Sequence, residues 1–332
     1  MSASARHRAV FGAPVRPLPS ERRPTSGPIA ILPEPEPDFE AAVAAAGGTV
    51  SELSDETRGL VWLSYERSAE LGAVVHANPQ LEWVQLPWAG VDGFAEVLRA
   101  ENRPGLLWTS AKGAYAQPVA EHALALSLAL MRMLPKRVLA RHWNSEPEGV
   151  SLFGRNVVIV GAGGIALELV RLLKAFDACI TIVRRRAKTV EGAVATVTSD
   201  RLHEVLPSAD LVIVAAALTG GTRHLLGDAE FQAMPESAYV VNVARGPLVD
   251  TDALVAALHA GTIAGAGVDV TDPEPLPDGH PLWTAPNCIV TPHMADTPEM
   301  TAPLLAERIR LNVEAFMGGA RFVGVVDPEA GY

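Results

Sequence analysis

Three side chains in the last third of the chain could together handle a small oxo acid. Arg245 lies in VNVARGPLVD (241–250), Glu274 in DVTDPEPL (269–276) and His293 in TPHMADT (291–297). A guanidinium offers a planar fork to a carboxylate and can polarise a carbonyl. An imidazole gives or takes a proton near neutral pH, and a carboxylate beside it favours the imidazolium and orients the ring. Singly, each is equally readable as a surface arginine, a solvated loop acid or a satisfied loop histidine. Position joins them. Each follows an apolar run that predicts a strand, and open α/β sheets bind ligands beyond the carboxyl ends of their strands.

Those strands need a sheet, and residues 157–186 show its first unit. Residues 157–160 are a continuous β-branched run, the mark of a strand covered on both faces. The chain then enters Gly161-Ala162-Gly163-Gly164-Ile165-Ala166, a G-x-G-x-x-A turn. Gly161 permits the tight turn, Gly163 lets backbone approach a pyrophosphate, and Ala166 lets the next helix pack close. The helix start, at Gly164 and Ile165, offers free N–H groups to phosphates. Ile165, Leu169, Leu172, Leu173 and Phe176 recur at helical spacing, and Glu168, Arg171 and Lys174 are expected on the opposite face. Strands expected at 179–183, 211–215, 239–243, 265–270 and 288–291, with intervening helices, complete a six-stranded, doubly wound parallel sheet of the Rossmann type.

Residues 28–117 read as a smaller α/β unit, with strands at 29–32, 60–64, 83–86 and 106–109. After its third strand comes Trp88-Ala89-Gly90-Val91-Asp92-Gly93, either an ordinary turn or a nest of N–H groups for an anion. A long apolar helix from Val119 towards Leu134, with Pro118 in its first turn, bridges the two regions. His122 on that helix has no second histidine four residues away, so no metal site is expected there; it reads as a buried or capped helix residue.

Composition narrows the classes. With 332 residues, 48% hydrophobic and 20% charged, the chain is of ordinary globular make-up and long enough for two domains. A formal charge of −11 argues against nucleic acid or anionic membrane as the main partner, and no apolar run reaches the length of a membrane span. Cys179 and Cys288, the only cysteines, fall in expected strands and read as reduced, buried residues of a cytoplasmic protein. Residues 1–27, rich in Arg, Pro and Ser, are expected to form a disordered tail, with an organelle transit segment as the alternative.

GAGGIA, VNVARGPLVDTDAL, DVTDPEPLPDGHPLW and TPHMADT, in this order, resemble the signatures of the D-isomer-specific 2-hydroxyacid dehydrogenase family over roughly residues 29–316. The resemblance implies a cofactor domain (118–295) inserted into a flavodoxin-like substrate domain (28–117 and 296–332), and a homodimer formed mainly through the cofactor domains. It implies NAD(P)H-dependent reduction of a small 2-oxo acid of the glyoxylate or hydroxypyruvate type to the D-2-hydroxy acid, and the reverse. Arg245 then resembles the family's substrate-binding arginine, Glu274 its carboxylate and His293 its acid/base histidine. Ala89, Gly90 and Val91 match the backbone cradle for the substrate carboxylate. Ala244 and Asp269 match contacts to the cofactor, Asp269 at the nicotinamide carboxamide. Hydride addition to C2 of the oxo acid leaves an alkoxide that a protonated His293 can neutralise.

The same resemblance sharpens the choice of cofactor. Arg184 stands where the family usually has an aspartate, and Arg185 and Arg186 follow. A 2′-phosphate would meet guanidinium groups there instead of a repelling carboxylate, so NADPH is expected to be preferred, with NAD possible. Three positions depart from the family pattern: Asp296 and Asp177 replace common glycines, and Ala217 replaces a usual proline. Two other classes are weighed. Corepressors that resemble the family sense the cofactor without catalysis, and formate dehydrogenases typically carry glutamine where Glu274 stands.

Overall fold

The computed structural model describes residues 7–11, 15, 17–143 and 145–329. It divides into two compact units, 1–115 with 298–332, and 116–297. The boundaries expected at 117/118 and 295/296 thus fall at 115/116 and 297/298.

In the first unit, β1 (Ile29–Leu32), β2 (Gly59–Trp62), β3 (Trp83–Gln85) and β4 (Leu107–Thr109) pair in parallel in chain order. Helices α1 (Pro37–Ala45), α2 (Ser68–Ala77) and α3 (Ala95–Ala100) connect them. Ile29 also bridges Val50, which must lie on the strand edge that β2 leaves free. Counting Val50 as a strand reduced to one residue, the order becomes 2-1-3-4-5, the flavodoxin-like arrangement. Trp62, Trp83 and Trp108 are fully buried in this unit, and the Trp83 ring lies 5.1 Å from that of Phe316. Buried Asn312 donates to Gln85 Oε1 at 2.6 Å and accepts from Val323 N–H at 2.7 Å, tying the chain's last helix to β3.

The described part of residues 1–27 is not a free tail, which corrects the expectation of disorder there. Val10 N–H donates to the Gly113 carbonyl and Leu18 N–H to that of Ala320, both at 2.8 Å, and Ser20–Arg22 form a 3-10 turn. Phe11 lies 5.7 Å from the buried Arg308 guanidinium. Composition measures whether a segment can build its own core; this one docks by backbone hydrogen bonds on a surface already formed. Residues 1–6, 12–14 and 16 of the expected tail lie outside the described residues.

The second unit opens with α4 (Ala116–Met131) and the short α5 (Leu134–Val138). There follow β5 (Asn156–Val160), α6 (Gly164–Leu173), β6 (Cys179–Arg184), β7 (Ala195–Thr198), α7 (Leu202–Val205), β8 (Leu211–Val214), α8 (Asp228–Ala233), β9 (Tyr239–Asn242), α9 (Thr251–Ala260), β10 (Gly265–Val268) and β11 (Cys288–Val290). All pairings are parallel, in the order β11-β10-β9-β8-β5-β6-β7. The direction of winding reverses between β5 and β8, where doubly wound sheets open a ligand crevice. Every residue of β8, β9 and β10 is buried, which is why these strands read as apolar runs, with Asn242 at the end of β9 the one polar residue. The sheet has seven strands where six were expected. The addition, β7, reads Ala-Thr-Val-Thr at an edge, too short and too polar to stand out.

Three residues sit differently from expectation, one of them Cys288 of β11, which is only partly buried. Cys179, the first residue of β6, is exposed. Glu168, expected on the solvated face of α6, is 4% exposed. It accepts from Gln117 of α4 at 3.2 Å and from Arg171 at 2.6 Å, so helix packing turned that face inward and the partners neutralise the charge.

Candidate functional site

Beyond β5 the chain turns in a shape only glycine allows. Gly161 has φ 124°, and a Cβ there would lie 2.3 Å from the Ala215 carbonyl oxygen. Gly163 is extended, caps α6, and would hold a Cβ in open space. The first turn of α6, Gly164 and Ile165, therefore ends on bare backbone, while Ala166 is fully buried and small enough for close helix–sheet packing. A pyrophosphate fits this geometry, held by backbone N–H groups at a helix N-terminus. One residue past the paired Val160 and Val183, Arg184 ends β6 level with Gly161. It is partly exposed and its Nη1 donates to the Lys188 carbonyl at 3.3 Å; Arg185 is exposed.

At the other side of the sheet, the loops after β9, β10 and β11 carry Arg245, Glu274 and His293. Buried Asn242 shapes the first loop, accepting from Ala244 N–H at 3.1 Å and donating to the Arg245 carbonyl at 3.0 Å. Arg245 Nη1 donates to the Ala244 carbonyl at 2.7 Å. A Cβ on Gly246 would sit 1.8 Å from the Thr271 carbonyl oxygen, so the loops after β9 and β10 meet backbone to backbone. That approach puts the Arg245 charge within reach of Glu274.

His293 Nδ1 and Glu274 Oε1 are 2.6 Å apart, with side chains 50% and 40% exposed. The hydrogen bond to Glu274 raises the His293 pKa above its ordinary value, against burial and Arg245. The same bond lowers the Glu274 pKa. With Nδ1 engaged, Nε2 is the ring atom left to exchange a proton with a substrate.

Asp269, just past β10, is 1% exposed at its side chain. Its Oδ1 accepts from Thr291 Oγ1 at 2.5 Å and Met294 N–H at 2.9 Å, and its Oδ2 accepts from Ala295 N–H at 3.0 Å. Burial alone would push this carboxyl up, but the nearby His122 ring and hydrogen bonds from Thr291 and Met294 outweigh it and hold the pKa low. The Asp269 carbonyl takes the His293 N–H at 2.7 Å. These bonds hold His293 at φ 53°, a left-handed conformation that costs a non-glycine residue about 1–3 kcal/mol. Asp296, three residues on, is pushed up to about 6 by burial, with Asp269 adding to the rise and His293 and His122 opposing it.

In the first unit, the Ala89-Gly90-Val91 turn follows β3 and leads through the 3-10 turn Asp92–Phe94 into α3. Val91 is buried, whereas Ala89 and Gly90 are partly exposed. Trp88, 39% exposed, packs edge-on against Tyr65 and Tyr115, and Tyr115 donates to the Pro87 carbonyl at 2.7 Å.

Asn242, Thr291 and His122 were not singled out for the site by sequence. The first two carried a signal, being polar residues that end or follow apolar strand runs. His122 carried none. Its Nε2 is 3.0 Å from Thr291 Oγ1, a residue 169 positions away.

Residues 123–295 match the family model described as D-isomer specific 2-hydroxyacid dehydrogenase, NAD binding domain. An uncharacterized protein in the proB 3′ region of Corynebacterium melassecola is 40% identical over 299 residues, 89% of this chain and 97% of its own length. The glyoxylate reductase of Thermofilum pendens is 32% identical over 265 residues, 77% of this chain and 78% of its own. A D-isomer specific 2-hydroxyacid dehydrogenase from Xanthobacter autotrophicus Py2, crystallised with NADPH and MES, matches with a TM-score of 0.79 at 27% identity, covering 93% of this chain and 100% of that one.

Proposed function

This chain belongs to the D-isomer specific 2-hydroxyacid dehydrogenase family, and on that premise we propose that it reduces a small 2-oxo acid of the glyoxylate or hydroxypyruvate type, with NADPH preferred. It is an NAD(P)-dependent oxidoreductase acting between 2-oxo and D-2-hydroxy acids. The observation that carries the residue roles is the 2.6 Å pair of His293 and Glu274 within the field of Arg245.

When bound, a reduced nicotinamide would supply the hydride for C2 of the oxo acid. His293 donates the proton from Nε2 to the substrate oxygen, and Glu274 holds the imidazolium and its orientation through Nδ1. Arg245 binds the substrate carboxylate and polarises the carbonyl. The N–H groups of Ala89, Gly90 and Val91 are assigned to the same carboxylate by the resemblance, as Ala244 and Asp269 are to the cofactor. Gly161, Gly163, Gly164 and Ile165 hold the pyrophosphate. Arg184 and Arg185, at the end of β6, attract the 2′-phosphate; this supports NADPH over NADH. Among the described residues no helix is long and apolar enough to cross a membrane. A homodimer is part of the same reading and rests on the resemblance alone, and a cytoplasmic location rests on the two free cysteines.

The test is steady-state oxidation of NADPH and NADH with glyoxylate, hydroxypyruvate, pyruvate and a bulkier 2-oxo acid. Turnover with one of the two small acids, more efficient with NADPH, is expected. Cofactor binding with no turnover on any acid overturns the reading in favour of a cofactor-sensing regulator.

A further inference from the structure

His122 has no place in the chemistry above, yet its ring reaches the residues that hold His293. The reason is packing. His122, Leu126 and Leu130 recur every four residues and so share a face of α4. A Cβ added to Gly267 of β10 would lie 3.1 Å from Leu126 Cβ and 3.2 Å from Leu130 Cδ1, so α4 lies close on this strand. One turn earlier on the same face, His122 overhangs the end of β10, where Asp269 begins the loop. Its Nε2 is 3.0 Å from Thr291 Oγ1 and 3.5 Å from Asp269 Oδ1, and the side chain is 22% exposed.

The protons can be placed by elimination. Thr291 Oγ1 has one hydrogen, and Asp269 Oδ1, acceptor-only when ionised, takes it at 2.5 Å. His122 must then donate through Nε2–H to the hydroxyl, so the chain runs from His122 to Thr291 to Asp269. Asp269 passes the order on, since its carboxylate receives the N–H groups of Met294 and Ala295 and its carbonyl that of His293. Both sides of the His293 loop are thus fixed from one residue.

We propose that His122 is a positioning residue for catalysis: through Thr291 and Asp269 it holds the loop in which His293 faces Glu274. The charged and titratable groups around this network are Asp269, Asp296, His293, Glu274 and Arg245; the hydrogen bonds of His122 lead to the first of them, and its charge also lowers the Asp296 pKa. This inference rests on the roles given to His293 and Glu274 above.

The test compares His122→Leu, His122→Gln and Thr291→Val in the full-length protein. His122→Leu removes the donor; His122→Gln returns an N–H at similar reach. In His122→Leu, kcat for 2-oxo acid reduction should fall about tenfold, as expected for one lost hydrogen bond to a charged network, with the Michaelis constant for NADPH unchanged. The alkaline limb of the pH profile should also move to lower pH by about half a unit, because a loosened Glu274 contact no longer favours the imidazolium. His122→Gln should recover most of both effects, and Thr291→Val should reproduce the loss. A titration of the His293 ring by NMR in the apoprotein should show the same downward shift without turnover. An unchanged His293 titration and pH profile in His122→Leu overturns the proposal, as does a loss that His122→Gln does not repair. If His122→Leu does not fold, Thr291→Val and His122→Gln decide it by the same readouts. A His293→Ala variant that keeps its turnover defeats the functional reading itself; an inactive one beside a normal His122→Leu defeats only this inference.

Discussion

His293 and Arg184 stand at strand ends of one sheet, but the protein holds them differently. His293 is tied by its N–H to the Asp269 carbonyl, by its ring to Glu274, and by Met294 and Ala295 to the Asp269 carboxylate. Arg184 donates to the Lys188 carbonyl at 3.3 Å and its neighbour Arg185 is exposed. Proton transfer demands a fixed donor, since misplacement by about 1 Å can cost about 10²-fold. Attraction of a phosphate works through a field and tolerates motion. One edge of the sheet should therefore respond to mutation through geometry and pH, the other through charge and salt.

The largest effect that could break this contrast is at His293. His293→Ala should lower kcat by about 10²–10⁴-fold while cofactor affinity, read by NADPH fluorescence titration, stays unchanged. A variant that keeps more than half of the turnover removes His293 from the role of proton donor. Arg245→Lys keeps the charge but loses the fork, and should raise the Michaelis constant for the oxo acid about tenfold. Equal constants in the wild type and in Lys and Ala variants would end that assignment.

At the opposite edge, Arg184→Asp should reverse the preference from NADPH to NADH, with about a tenfold loss for NADPH. The wild-type preference should narrow as salt rises from low to moderate strength, because exposed charges are screened. A preference insensitive to both the substitution and salt would show that 2′-phosphate recognition lies elsewhere.

The smallest expected effect lies next to His293. In the role proposed for His293, reduction needs the protonated ring, whose pKa is raised, so activity should persist below that pKa and fall as pH rises through it. Asp296, with its pKa at about 6, is ionised over the upper part of this range. Its attraction to the imidazolium is mutual, so the negative charge favours protonated His293. Asp296→Asn should shift the alkaline limb to lower pH by about half a unit, with little change in maximal kcat. A limb that stays in place, or moves upward, counts against any influence of Asp296 on His293.

What could be read from the chain alone was whatever depends on neighbours in sequence. The turn at Gly161 needs a left-handed residue next to a strand, and the buried parallel strands β8, β9 and β10 need continuous apolar runs; both leave local marks. Arg245, Glu274 and His293 were singled out because their residue types follow such runs. The four-residue β7 left too weak a mark, and a single bridge at Val50 left none. Glu168 was placed on the wrong face because helical spacing shows two faces but not which of them a second helix will cover. His122 was dismissed for a related reason. Its partner lies 169 residues away, and only the close seating of α4 on Gly267 brings the ring to Thr291 and Asp269. The sequence by itself determined that an arginine, a carboxylate and a histidine follow three strand runs; the tertiary structure decided which side chains hold them in place, because contacts across layers depend on packing distances that no local pattern encodes.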